Sequence, residues 1–187
     1  MECPEEASDM TADTRADIAA VPGVAASRDP ATRGFVFNHT MLRVKDARAS
    51  LDFYTRVLGF TLVRMNRFEQ AKFSLYFLVL ADDASGIPDD ADERRSWVAR
   101  QRGVLELTHN HGTEDQEGPV YHDGNSEPRG FGHICVSVPD IRAACARLEG
   151  LGVPFQKRLE EGNMKEIAFI RDPDGYWIEL IQPTPLG

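Results

Sequence analysis

The chain carries an internal repeat, and that repeat limits the possible folds more than any other feature of the sequence. His39 stands seven positions before Asp46, and His133 stands seven before Asp140. Each Asp precedes a segment of helical periodicity, 47–57 and 141–151, and each segment runs into a glycine, Gly59 and Gly152. Each half then ends in an apolar strand pattern holding one glutamate, Val104-Leu105-Glu106-Leu107 and Trp177-Ile178-Glu179-Leu180. The first His-to-Glu span exceeds the second by 21 positions, 67 against 46, which is about the length of a charged segment at 81–103. Two copies of one unit, one of them carrying an insertion, account for every one of these coincidences. The predicted fold is α+β, two tandem βαβββ modules.

The remaining pattern fills in the units. Strands are predicted at 37–44, 61–65, 73–79 and 103–108 in the first half, and at 131–138, 154–157, 166–171 and 177–182 in the second. Asp172-Pro173-Asp174-Gly175 reads as a turn between the last two strands. The insertion is predicted to be a helix over 88–100, with Asp89, Asp90 and Asp92 near the positive end of its dipole. The expected organisation is an N-terminal arm at 1–33, a first module at 34–110 with its helical insertion at 81–103, a linker at 111–130 and a second module at 131–187. The arm is rich in Ala, Asp, Glu, Thr and Pro and reads as poorly ordered, the alternative being a helix at 10–20 packed on a partner.

A net charge of -9 argues against nucleic acid or an anionic membrane as a partner. An anionic substrate would therefore need a local basic patch. No apolar run approaches the length of a membrane span. The N-terminus has neither the basic start nor the apolar core of a secretory signal, and its acidic stretch at 2–13 is unlike a transit peptide. Cys3, Cys135 and Cys145 are odd in number and form no C-x-x-C pair, so a disulfide framework is not expected and a reducing cytoplasm is.

His39, Glu106, His133 and Glu179 occupy equivalent places in the two halves. All four stand within strand patterns, where an unpaired charged or basic group is not expected to face a core. Two imidazoles and two carboxylates form a donor set suited to Zn, Ni, Co, Fe or Mn. Taken singly, each residue reads more readily as a satisfied strand histidine or a glutamate on a solvated face. The symmetric placement favours the metal. Strand alternation puts His39 on one face with Met41 and Arg43, His133 with Cys135 and Ser137, and Glu106 with Thr108 and Asn110. Arg43, Arg129, Lys157 and Lys165 are the candidates for anion capture, and each has a plain surface role as its alternative.

The stretches TMLRVKD (40–46), SLDFY (50–54), KFSLYF (72–77), LELTHN (105–110), NSEPRGFGH (125–133) and DPDGYWIE (172–179) resemble, in order, those of glyoxalase I (lactoylglutathione lyase) in the vicinal-oxygen-chelate superfamily. The resemblance covers roughly 35–183. It implies a metal held by His39, Glu106, His133 and Glu179. The insertion at 81–103 resembles the longer, zinc-preferring branch, so Zn2+ is the expected metal, with Ni2+ or Co2+ the alternatives. His39 stands where eukaryotic-type members often have Gln. The resemblance also implies glutathione as co-substrate, with contacts from Arg43, Asn110, Arg129 and Lys157 and from backbone near Gly162 and Met164. Phe68, Phe73, Leu75 and Phe77 match apolar pocket positions, with a plain core role as the alternative for Phe73 and Phe77. It implies a homodimer in which His39 and Glu106 of one chain meet His133 and Glu179 of the other. The implied reaction converts the methylglyoxal–glutathione hemithioacetal to S-D-lactoylglutathione by proton transfer through a metal-bound enediolate. Glu179 is the expected base, and Glu106 has a matching role for the opposite stereoisomer.

Two other readings carry different expectations. One is a different superfamily enzyme, such as a ring-cleaving dioxygenase or an acyl-CoA epimerase; a dioxygenase would want iron on two His and one carboxylate with open positions, where this chain offers four ligand candidates. A binding or resistance module has no need to keep all four.

Overall fold

The computed structural model describes residues 14–81 and 84–183. Cys3 and the first part of the expected 10–20 helix lie outside them. The chain divides into two compact units, Met1–Val36 and Phe37–Gly187. In the first, helix α1 (Arg15–Ala20) starts at a capping box in which the Thr14 hydroxyl accepts from the Asp17 amide and the Asp17 carboxylate accepts from the Thr14 amide. None of its residues is buried.

The second unit holds both repeats. Strand β1 (His39–Val44) leads to α2 (Ala47–Asp52), then β2 (Thr61–Phe68), β3 (Phe73–Val79), α3 (Ala91–Arg100) and β4 (Val104–Asn110). The repeat follows as β5 (His133–Ser137), α4 (Ile141–Gly150), β6 (Phe155–Lys157), β7 (Ala168–Arg171) and β8 (Trp177–Ile181). The two sheets have the same topology, β1-β4-β3-β2 and β5-β8-β7-β6. In each, the first strand runs parallel to the last and the other pairings are antiparallel. That arrangement puts the histidine strand beside the glutamate strand in both halves.

Local chemistry sets the element ends. Asp46 and Asp140 cap α2 and α4 through their carboxylates, as the sequence predicts. The 47–57 helix is α-helical only to Asp52. Phe53–Val57 widens into a π turn, with the Leu58 amide bonded to the Phe53 carbonyl at 3.1 Å. Within it the Thr55 hydroxyl bonds the Leu51 carbonyl at 2.7 Å. The inserted helix begins three residues later than the charge pattern suggests, because the Asp90 side chain accepts from the Asp92 and Glu93 amides and so caps α3. Residue 131 precedes rather than joins β5. Gly124 has φ +90°, and a Cβ there would lie 2.0 Å from the Phe131 carbonyl oxygen, so the loop before His133 closes on itself only with glycine.

One apolar core draws on both halves. Leu42, Val44, Tyr54 and Leu107 pack in the same cluster as Ile141, Ile170, Ile178 and Leu180. A smaller cluster under α3 joins Val98 to Val63, Phe77, Val79 and Val104. Polar ties cross between the halves. The Tyr54 hydroxyl donates to Asp172 at 2.8 Å, the Lys45 amide donates to Asp174 at 2.9 Å, and Arg147 donates to the Val57 carbonyl at 2.6 Å. The 172–175 turn therefore docks the second half onto the first as well as linking β7 to β8. Its Gly175 takes φ +89°.

Candidate active site

Two like constellations stand on the two sheets. In the first, His39 Nε2 lies 3.2 Å from Glu106 Oε2. In the second, His133 Nε2 lies 3.4 Å from Glu179 Oε2. Parallel pairing of the first and last strands brings each imidazole to its carboxylate across neighbouring strands. A phenylalanine completes each set. Phe77 sits opposite Glu106 and meets His39 edge-on at 6.3 Å, and Phe169 sits opposite Glu179 and meets His133 at 5.2 Å. Phe169 was not singled out by the sequence reading. Its signal is the register, since it holds the place in β7 that Phe77 holds in β3.

The pairs are open on one side. Both histidine side chains are about 40% exposed, whereas Glu106 is nearly buried and Glu179 half-buried. The surroundings of the carboxylates differ. Thr108 donates to Glu106 Oε1 at 3.4 Å. Cys135, the strand partner of Glu179, takes that role in the other half, and its thiol is pushed up to about 11 by burial and then by its hydrogen bond to Glu179. Among the described residues no three His, Cys, Asp or Glu side chains gather as a metal-binding group. Each sheet thus brings one imidazole and one carboxylate together.

The other predicted contacts fall in separate places. Arg43 is exposed beside Met41 on the His39 face, and its carbonyl accepts from the Tyr176 hydroxyl at 3.1 Å. Asn110 donates to the Tyr121 hydroxyl at 2.8 Å. Arg129 is exposed and ion-paired with Glu127 at 3.0 Å. Lys157, Gly162 and Met164 do come together: the Lys157 ammonium bonds the Met164 carbonyl at 2.6 Å and the Ile167 carbonyl at 2.7 Å, and its stem passes Gly162. Lys165 is exposed. Phe68 stacks on Phe73 at 4.6 Å, Leu75 is half-buried, and Phe77 joins the cluster under α3.

The model of the glyoxalase/bleomycin resistance protein/dioxygenase superfamily matches residues 36–180, nearly the whole of the second unit. The chain belongs to this superfamily. Two superfamily relatives cover almost all of it. The lactoylglutathione lyase of Pseudomonas putida is 66% identical over 170 residues, 91% of this chain and 98% of that protein. The lactoylglutathione lyase of Pseudomonas aeruginosa is 55% identical over 166 residues, 89% of this chain and 93% of that protein. Among solved structures, the trypanothione-dependent glyoxalase I of Leishmania major superposes with a TM-score of 0.57 at 32% identity, over 78% of this chain and 85% of that one. No helix among the described residues is long and apolar enough to cross a membrane.

Proposed function

We infer that the chain is a lactoylglutathione lyase, a glyoxalase I that isomerises the hemithioacetal of methylglyoxal and glutathione to S-D-lactoylglutathione and so detoxifies methylglyoxal. The observation that carries this reading is the duplicated His–Glu pair, His39–Glu106 and His133–Glu179, in a chain 66% identical to a lactoylglutathione lyase. The dioxygenase reading fits less well, because four donors leave few positions open for oxygen chemistry.

The donors suit a divalent metal. Two neutral imidazoles and two carboxylates form a mixed N/O set, each imidazole already facing its carboxylate with Nε2. We propose Zn2+, with Ni2+ or Co2+ as alternatives, held by His39, Glu106, His133 and Glu179. A metal there supplies Lewis acidity to the substrate oxygens. Because one chain presents its donors as two separate halves, we propose a homodimer in which the first pair of one chain meets the second pair of its partner. The exposed Met41 and Phe68, on the Glu106 face of the first sheet, support a face that another chain covers.

The protein's own groups perform the proton transfer. The Glu179 carboxylate takes the proton from C1 of the hemithioacetal and returns it to the neighbouring C2. Glu106 does the same for the opposite stereoisomer. Arg43, Asn110 and Arg129 hold the glutathione carboxylates and amides, and this supplies the local basic patch that an acidic chain needs. Lys157 acts through the loop carrying Gly162 and Met164, since its ammonium is held by that loop's carbonyls. Phe77 and Phe169 wall the reacting atoms and keep water from them. The free thiols of Cys135 and Cys145 support a cytoplasmic location.

The test follows thioester absorbance with methylglyoxal and glutathione premixed, using enzyme stripped of metal and then given zinc, nickel or cobalt separately. Growth of the thioester band restored by metal, zinc foremost, is expected. A folded protein silent with every metal would overturn the reading.

A further inference from the structure

Asn38 is the residue just before the first candidate ligand, and its side chain has three partners. Its amide nitrogen donates to the Val98 carbonyl at 2.8 Å and to the Gln101 carbonyl at 3.0 Å, at the end of α3. Its amide oxygen lies 2.8 Å from His39 Nδ1. Two carbonyls can only be faced by the NH2 end of an amide, so the α3 contacts fix which end is which. The end left for His39 is the oxygen, a pure acceptor. That acceptor favours the proton on Nδ1, while the Glu106 carboxylate, 3.2 Å from Nε2, is a second acceptor that competes for it in the absence of a metal. In the neutral ring a proton on Nδ1 leaves the lone pair on Nε2, the nitrogen that points at Glu106 Oε2. Backbone pairing reinforces the arrangement, because the Val104 amide donates to the Asn38 carbonyl at 2.9 Å.

We propose that Asn38, its amide held by two carbonyls at the end of α3, is a positioning residue that favours the Nδ1–H tautomer of His39 for metal binding through Nε2. The proposal rests on the reading of His39 as a metal ligand. It also matches an asymmetry of the repeat. The second half has no inserted helix, and among the described residues His133 has no recorded Nδ1 partner of this kind. A hydrogen bond from the far nitrogen of a liganding imidazole fixes its tautomer and orientation, and its loss costs metal affinity 10–100-fold in known sites. Asn38 acts on substrate only through His39.

The experiment compares wild type, Asn38→Ala and Val98→Ala. Val98 is the buried residue of α3, so Val98→Ala loosens the packing of the helix without removing either partner of the Asn38–His39 bond. The first readout is the 15N NMR signature of the neutral His39 ring in metal-free full-length protein, with Glu106→Gln added to each variant for this readout only, because the glutamine amide can donate to Nε2 and so removes the competing acceptor. The second is the affinity for Zn2+, by competition with a chromophoric chelator. The expected result is one Nδ1-protonated tautomer in wild type and Val98→Ala, a tautomer mixture in Asn38→Ala, and Zn2+ binding weaker by about 10-fold or more in Asn38→Ala alone. An unchanged tautomer in folded Asn38→Ala overturns the positioning role itself. A changed tautomer with unchanged Zn2+ affinity overturns the proposal from the other side, by removing His39 from the ligand set. Equal loss of affinity in both variants would make the effect one of α3 packing and would also overturn it.

Discussion

Asp172→Asn should gain stability relative to wild type as pH rises from acid to neutral. Asp172 is 5% exposed and accepts from the Tyr54 hydroxyl at 2.8 Å and from the Asp174 and Tyr176 amides at 3.0 and 2.9 Å. Those donors favour its charged form. Burial outweighs them, with the nearby Asp174 charge adding to it, and the carboxyl is pushed up from 3.8 to about 6. Roughly two pH units at 1.36 kcal/mol each make about 3 kcal/mol of preference for the neutral form. The folded state thus binds more protons than the unfolded state between about pH 4 and pH 6, and stability from this group falls as pH rises through that window. Above it the full penalty of about 3 kcal/mol remains. Asparagine keeps an oxygen for the two amides and carries no charge, and the Tyr54 hydroxyl loses its acceptor at every pH, a constant cost that leaves the pH dependence to the carboxyl. Urea unfolding of wild type and variant at several pH values from 4 to 7.5, in dilute solution because the isoelectric point is near 5.0, measures the difference directly. The variant should gain on wild type by about 2–3 kcal/mol across the range. A difference that stays constant with pH would show that Asp172 is not held above the ordinary carboxylate range, and the reasoning would fail.

Glu179→Gln should lower kcat by about 100-fold or more while metal content is retained, as expected for removal of a general base; turnover close to wild type would remove Glu179 from that role. Arg129→Ala should raise KM by about 10-fold with little change in kcat, because it breaks a charge-assisted contact to a remote part of the substrate; an unchanged KM would exclude that contact. The shared-site dimer predicts complementation between dead chains. A His39→Ala/Glu106→Gln chain and a His133→Ala/Glu179→Gln chain, each inactive, should on subunit exchange recover about a quarter of wild-type activity, since half the dimers are mixed and each holds one intact site. Exchange proven by mass spectrometry without recovery would place the four ligands in one chain.

What the sequence made legible is what periodicity and capping control. The span Phe73–Val79 is predicted to the residue, because alternation and flanking turn residues both mark it. The aspartate caps of α2 and α4 follow from residue type alone. The equivalent placing of the two histidines and two glutamates follows from the repeat, while the pairing of His39 with Glu106 and of His133 with Glu179 comes from the parallel first and last strands. Other features depend on contacts far apart in the chain. Tyr54 and Asp172 find each other only through packing of the two halves, and the DPDG motif reads as a turn whatever it docks against. Asn38 is likewise silent, since its partners Val98 and Gln101 come from the end of a helix inserted between two strands. The basic residues are the least legible of all. Lys157 and Arg129 look alike as charges in a sequence, yet one is taken up by backbone carbonyls and the other stands in solvent beside Glu127.

Duplication gives the two halves the same three groups, an imidazole, a carboxylate and a phenyl edge, but it does not give the two carboxylates the same freedom. Glu106 lies in the middle of a strand whose first six residues are all buried, under α3 on one side and with the Thr108 hydroxyl on its own strand. Glu179 is on a strand that alternates between buried and half-buried positions, and its neighbour across the pairing is the Cys135 thiol, a weak donor. A carboxylate that must leave a metal, take a proton and give it back needs room and weak restraints. A carboxylate that only holds a metal is better buried and hydrogen-bonded. The second half is closer to the first requirement and the first half to the second, so these surroundings favour Glu179 as the more mobile of the two proposed bases.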